Sequence, residues 1–237
     1  MKLPDIKGFI DLSLVDWDGK VSAVIFLPYC NFRCPFCYNT ALVTGAEEMP
    51  TVPSEEVVRY LSKNRKWLDG VAITGGEPTI HGELPALCKR IKELGMGVKL
   101  DTNGTNSVMV KELMADKLVD YIALDVKAPL TVETYSRVAG VNMAALMMEV
   151  ENTAALLMKS SLDYEFRTTL VPTIHSKTDL ERICSEIGGC RRYVLQNLKE
   201  NVATLDPKFG KATPFSREEM EEFLASARKV VPNTYLR

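Results

Sequence analysis

The stretch Val21-Ser22-Ala23-Val24-Ile25-Phe26-Leu27-Pro28-Tyr29-Cys30-Asn31-Phe32-Arg33-Cys34-Pro35-Phe36-Cys37 decides the fold. Its first seven residues are apolar on nearly every position, as a strand covered on both faces requires. Directly after that strand come three cysteines in the spacing C-x3-C-x2-C. A strand whose end delivers chemically unusual side chains points to an α/β protein with its site at the carboxyl ends of parallel strands.

The same unit recurs along the chain. Further strand candidates are Gly70–Thr74, Gly97–Asp101, Tyr121–Asp125, Glu165–Val171 and Tyr193–Gln196. Between them lie amphipathic helical stretches at 55–68, 83–94, 107–117, 142–159, 178–187 and 216–230, with Ser54, Ser107 and Ser216 of the residue type that starts helices. The Met-, Ala- and Leu-rich stretch 142–159 reads as a packed core helix. Six strand–helix units are too few to close an eight-stranded barrel. The expectation is therefore an α/β fold, a partial (β/α)6 TIM-like barrel in a single domain over 1–237, with a core at about 20–198 and a helix at about 216–230.

Composition narrows the class. The chain has 237 residues, 46% hydrophobic and 25% charged, so it can bury a core without a disulfide framework. A formal net charge of -2 supplies no basic field for nucleic acid or an anionic membrane. The N-terminus lacks the apolar run of a signal peptide, and Val21–Leu27 is too short to cross a bilayer. Six cysteines without an export signal point to a reducing compartment, hence a cytoplasmic protein whose clustered thiols bind metal or do chemistry.

Cys30, Cys34 and Cys37 match the thiolate donors of a [4Fe–4S] cluster. Three thiolates leave one iron without a protein ligand, open to a small molecule bearing an amine and a carboxylate. The competing reading is zinc on Cys34-Pro35-Phe36-Cys37, which wants four closed ligands; Cys30 would be a third, and only His81 or His175 offers an imidazole fourth. Cys88, Cys184 and Cys190 are scattered and read as buried thiols.

Each strand candidate ends in polar residues that an apolar core would not choose. Gly75-Gly76-Glu77-Pro78 follows the second, Asp101-Thr102-Asn103-Gly104 the third, Asp125-Val126-Lys127 the fourth, Pro172 to His175 the fifth and Gln196-Asn197 the sixth. In a parallel sheet these fall on one rim and are read as one site. Blander readings stand beside this. Gly75-Gly76 also suits a strand-end turn, and the Asp101 stretch a turn before the helix at Ser107. His175 reads equally as a surface histidine. Gln196 either bonds an adenine or simply ends its strand.

With these residues quoted, the sequence resembles the radical S-adenosylmethionine (SAM) superfamily. The resemblance is carried by Cys30–Cys37 with Phe36 before the last cysteine, and by Gly75-Gly76-Glu77-Pro78. The Asp101-Thr102-Asn103-Gly104 and Asp125-Val126-Lys127 stretches are similar to the activating enzymes of glycyl radical enzymes. These include pyruvate formate-lyase activating enzyme and, nearer in pattern, the anaerobic ribonucleoside-triphosphate reductase activating protein.

The resemblance implies a radical-SAM-type partial barrel and an oxidoreductase. One electron from the cluster cleaves SAM to a 5′-deoxyadenosyl radical, which generates a glycyl radical on a partner. It implies SAM contacts at Phe36, Gly75, Gly76, Glu77, Asp101, Asp125, Lys127, His175 and Gln196. It also implies a monovalent cation, K+ or Na+, on Asp101, Thr102, the Ala123 carbonyl and Asp125. The implied partners are an anaerobic ribonucleotide reductase and a ferredoxin or flavodoxin. The pyruvate formate-lyase activator has a SAM-contacting histidine near the end of strand six; here the residues are Gln196-Asn197-Leu198, and Tyr38 stands where related activators often carry histidine. The first departure favours the ribonucleotide-reductase type. Rival readings are a radical SAM enzyme acting on a small molecule or nucleotide, and a zinc-binding interaction module.

Overall fold

The computed structural model describes Lys2–Arg237, which contain eight strands hydrogen-bonded in the order β1-β2-β3-β4-β5-β6-β7-β8. The chain divides into two compact units. The first comprises the chain up to Asn31, Ala41–Thr102 and Asn106–Ala123; the second comprises Phe32–Thr40, Asn103–Thr105 and Leu124–Arg237.

In the first unit, β1 (Gly8–Ser13) runs antiparallel to β2 (Ser22–Leu27), with Gly8 opposite Phe26. The short helix α1 (Thr40–Thr44) and α2 (Ser54–Asn64) lead to β3 (Gly70–Gly75), parallel to β2 from Ser22↔Gly70 to Leu27↔Gly75. A 3-10 turn, Pro78–Ile80, and α3 (Leu84–Glu93) precede β4 (Gly97–Thr102), which is parallel to β3. Helix α4 (Ser107–Ala115) then leads into β5 (Tyr121–Asp125), whose last two residues belong to the second unit.

Val24, Ile25, Val71, Ile73, Val98 and Leu100 are all fully buried, as expected for strands covered on both faces. Trp17 meets Tyr121 at a tilt of 52° with ring centroids 6.1 Å apart, and its ring lies where side chains on Gly70 and Gly97 would stand. These two strands must therefore begin with glycine. Helix α3 buries Leu84, Leu87 and Ile91, the expected apolar face.

The second unit holds α5 (Val132–Ala139), α6 (Met147–Lys159), β6 (Asp163–Leu170), α7 (Lys177–Glu186), β7 (Tyr193–Asn197), the short α8 (Pro207–Gly210), α9 (Arg217–Arg228) and β8 (Thr234–Leu236). Strands β6, β7 and β8 are parallel. Helix α6 buries Met147, Val150, Thr153, Ala154 and Leu157 and is a core helix, as its composition indicated.

All six expected strands form. Expectation missed β1 and β8, because β1 exposes Ile10 and Leu12 and β8 has only three residues. It also missed α5. Ser216 caps α9 in a reciprocal capping box with Glu219, whereas α4 is capped by Asn106 and not Ser107, and Pro53 rather than Ser54 precedes α2. Among the described residues no helix is long and apolar enough to cross a membrane.

Glycine is required where β3 ends. Gly75 has φ +119, and a side chain on Gly76 would overlap the Tyr29 carbonyl oxygen. We expect Gly76→Ala to cost at least about 2 kcal/mol in urea unfolding, whereas Gly82→Ala, in open space, should stay within about 0.5 kcal/mol.

Candidate cofactor site

The first unit gathers the ends of β2, β3 and β4. Gly76 N–H donates to Leu27 O at 2.9 Å and Glu77 N–H to Tyr29 O at 2.8 Å, so the β3 end grips the residues just before Cys30. The close approach needs the small Gly76. His81 Nε2 lies 2.7 Å from Pro28 O and donates to it, adding a second tie to the same loop.

Glu77 is 1% exposed. Its Oε1 accepts from Thr79 N–H (3.0 Å), the Thr79 hydroxyl (2.6 Å) and the Thr102 hydroxyl (2.7 Å). A buried carboxylate persists only with such donors, and charge-assisted bonds of this kind are the strong ones. Glu77 thereby joins the ends of β3 and β4. Beside Thr102, Asp101 Oδ1 pairs with the Lys99 ammonium at 2.5 Å. Lys99 is 2% exposed, and its i,i+2 spacing puts it on the same strand face as Asp101.

The second unit gathers Cys34, Cys37, Asp125, Lys127 and His175. Cys37 N–H closes a turn onto Cys34 O at 3.0 Å. The cysteine loop hangs from the α5 terminus, where Arg33 N–H donates to Ala139 O, and from the segment before α8, where Leu205 and Asp206 N–H donate to Cys37 and Pro35 carbonyls. Gly140, left-handed at φ +68, lets Arg33 pass close by. Phe36 is buried in the same loop.

Asp125 accepts from Arg167 Nε at 2.9 Å and Lys127 Nζ at 3.2 Å. Burial by itself lowers the Lys127 pKa, but Asp125, with Cys34 and Tyr135, raises it further, and the net direction is up. Burial pushes the Cys34 thiol up to about 11; the Lys127 charge works against that, and Cys37 and Asp125 with it.

His175 is 6% exposed, and both ring nitrogens are used. Nδ1 accepts from Val171 N–H at 3.0 Å and Nε2–H donates to Lys127 O at 2.8 Å. The ring is the neutral Nε2–H tautomer and braces the backbone after β5. It is not a surface histidine. Gln196 is half-buried at the end of β7, while its neighbour Asn197 bonds both N–H and C=O of Phe215.

Cys30 belongs to the first unit and Cys34 and Cys37 to the second. Among the described residues no three His, Cys, Asp or Glu side chains are gathered as a metal ion needs. The donor chemistry nonetheless fits an iron–sulfur cluster: all three are cysteines outside any disulfide on one eight-residue loop. Cys88, Cys184 and Cys190 are buried thiols, pushed by burial up to about 12, 11 and 12 respectively.

The donor set expected for a monovalent cation does not fit one. Asp101 already holds an ammonium. Asp125 is flanked by two side-chain cations. Lys99 and Arg167 are the residues that sequence reasoning passed over; for Lys99 the signal was a charge two residues from Asp101 in a strand whose alternate positions are apolar.

A cysteine loop after one strand and a glycine-glycine-glutamate turn after the next have their counterpart among known proteins. Residues 24–185 match the Radical SAM superfamily, and the chain belongs to that superfamily. Membership brings a [4Fe–4S] cluster and SAM with it and sets the zinc reading aside. The chain is 32% identical, over 98% of its length and 95% of the other's, to a Methanocaldococcus jannaschii protein named "Putative glycyl-radical enzyme activating enzyme". It is 28% identical over 114 residues, 48% of this chain and 36% of the other, to a Pyrococcus horikoshii "Probable GTP 3',8-cyclase". Among solved structures, Streptococcus suis SuiB bound to precursor peptide SuiA has a TM-score of 0.69 at 17% identity, covering 90% of this chain. The chain spans about half (48%) of SuiB, and that likeness shows the fold alone.

His175 generates a pH prediction. Burial holds its pKa below the ordinary 6.5, outweighing the Lys127 carbonyl and Asp179, while Arg137 adds to the lowering. The unfolded chain thus binds a proton first as pH falls through 6.5, so this contribution to stability, complete above that value, is lost toward the folded pKa. Unfolding free energies measured from about pH 7.5 down to about 5.5 should fall in the parent, and His175→Gln should flatten that slope while lowering stability throughout.

Proposed function

We propose that this chain is an activating enzyme that uses SAM to generate a glycyl radical on a partner protein. The observation that carries the reading is the end-to-end relationship, 32% identical over 98% of this chain, to the Methanocaldococcus jannaschii protein of that name. SAM, taking one electron, would yield methionine and a 5′-deoxyadenosyl radical. That radical would remove a hydrogen atom from a glycine α-carbon, leaving 5′-deoxyadenosine and the glycyl radical.

The cluster supplies the electron when bound. In this reading Cys30, Cys34 and Cys37 are its ligands, and Phe36 packs beside them. Backbone at Gly75 and Gly76, with Glu77 behind them, receives the SAM amino group, and Asp125 and Lys127 receive its ribose and carboxylate. Asp101 stands at the methionyl carboxylate, where a positive charge is wanted, and Gln196 contacts the adenine. The two ring bonds of His175 give it a positioning role on the Lys127 backbone. We further propose that residues 1–237 act as one cytoplasmic radical SAM domain. The partner is an anaerobic ribonucleoside-triphosphate reductase, as the Gln196-Asn197-Leu198 departure favours, and a ferredoxin or flavodoxin is the electron donor.

Anaerobically reconstituted protein should hold roughly four irons. Cys30→Ala, Cys34→Ala and Cys37→Ala should each lose them, and Cys88→Ala should not. With SAM, reductant and the reductase of the same organism, electron paramagnetic resonance should show a glycyl doublet. Deuterium at the target glycine should pass into 5′-deoxyadenosine. The reading fails if no glycyl radical enzyme responds while a small metabolite strongly stimulates SAM cleavage.

A further inference from the structure

We propose that the Lys99 ammonium takes the place of a bound alkali cation at Asp101, so that SAM binding by this chain needs no monovalent cation. The inference rests on the reading that Asp101 stands at the SAM carboxylate.

Lys99 lies in β4 between Val98 and Leu100, which face the opposite side of the strand. Its register partner in β3 is Ala72, a small residue that leaves room for a long side chain. The ammonium, nearly sealed from solvent, reaches Asp101 Oδ1 at 2.5 Å. An alkali ion on the same carboxylate oxygens would sit against a like charge. The other expected carboxylate is paired as well: Asp125 has Arg167 and Lys127 as counter-ions. Each carboxylate of the expected cation site is therefore already paired with a side-chain cation. An ammonium fixed to the strand can serve a carboxylate ligand as an ion would, without depending on the ionic composition of the medium.

The test is SAM affinity of the cluster-reconstituted full chain, titrated in tetramethylammonium buffer and again with KCl or NaCl at equal ionic strength. Binding is read by equilibrium titration and by the change in the reduced cluster's paramagnetic resonance line shape. In the parent, affinity should change by less than about twofold between the media. Lys99→Met should weaken binding at least about tenfold and recover part of the loss with K+ or Na+, whereas Lys99→Arg should remain cation-independent. Tightening of the parent beyond about twofold on adding K+ or Na+ overturns the proposal, whatever the variants do. Asp101→Ala separates the two layers. A loss of about tenfold keeps the site reading intact, and an unaltered affinity overturns that reading and the proposal with it.

Discussion

A carboxylate shut away from water must find donors or lose its charge, and Glu77 finds three of them at one oxygen. One comes from β4, which fixes that strand's end against the turn after β3. The backbone of Glu77 meanwhile donates to Tyr29 O, so the same residue sets the position of the chain entering the cysteine loop. Gly75 and Gly76 are the geometric condition for this, because any side chain there would collide with the β2 end and the loop. The strand-end glycines, the glutamate and the two threonines act as one unit.

The second unit answers the same problem with backbone and charge. Lys127 and Arg167 share Asp125, and His175 holds the Lys127 carbonyl with one ring nitrogen while the other binds its own strand end. The cysteine loop is hung by backbone hydrogen bonds from α5 on one side and from the segment before α8 on the other. This support comes from backbone groups of the loop rather than from its thiols. Neutralised carboxylates suit a zwitterionic ligand, which brings both signs of charge with it.

Much of this was legible in the residues. Apolar runs such as Val21–Leu27 and Tyr121–Asp125 marked most of the six internal strands, because burial on both faces leaves a clear record. The edge strand β1 left no such record, since half its side chains face solvent, and β8 is held largely by its neighbours. Lys99 was passed over because one charge in an apolar run looks like a surface residue, and Arg167 because β6 carries several other charged and polar residues. Only the strand's period of two shows that Lys99 shares a face with Asp101. His175 was ambiguous because its role depends on backbone groups at Val171 and Lys127, which no side-chain pattern encodes.

In the proposed reaction SAM binds the iron that Cys30, Cys34 and Cys37 would leave open. Electron–nuclear double resonance on the reduced protein, with SAM labelled in its amino nitrogen and carboxylate oxygens, tests this directly. Strong couplings of both labels to the cluster are the predicted result. Absence of both couplings in protein that still binds and cleaves SAM would contradict it.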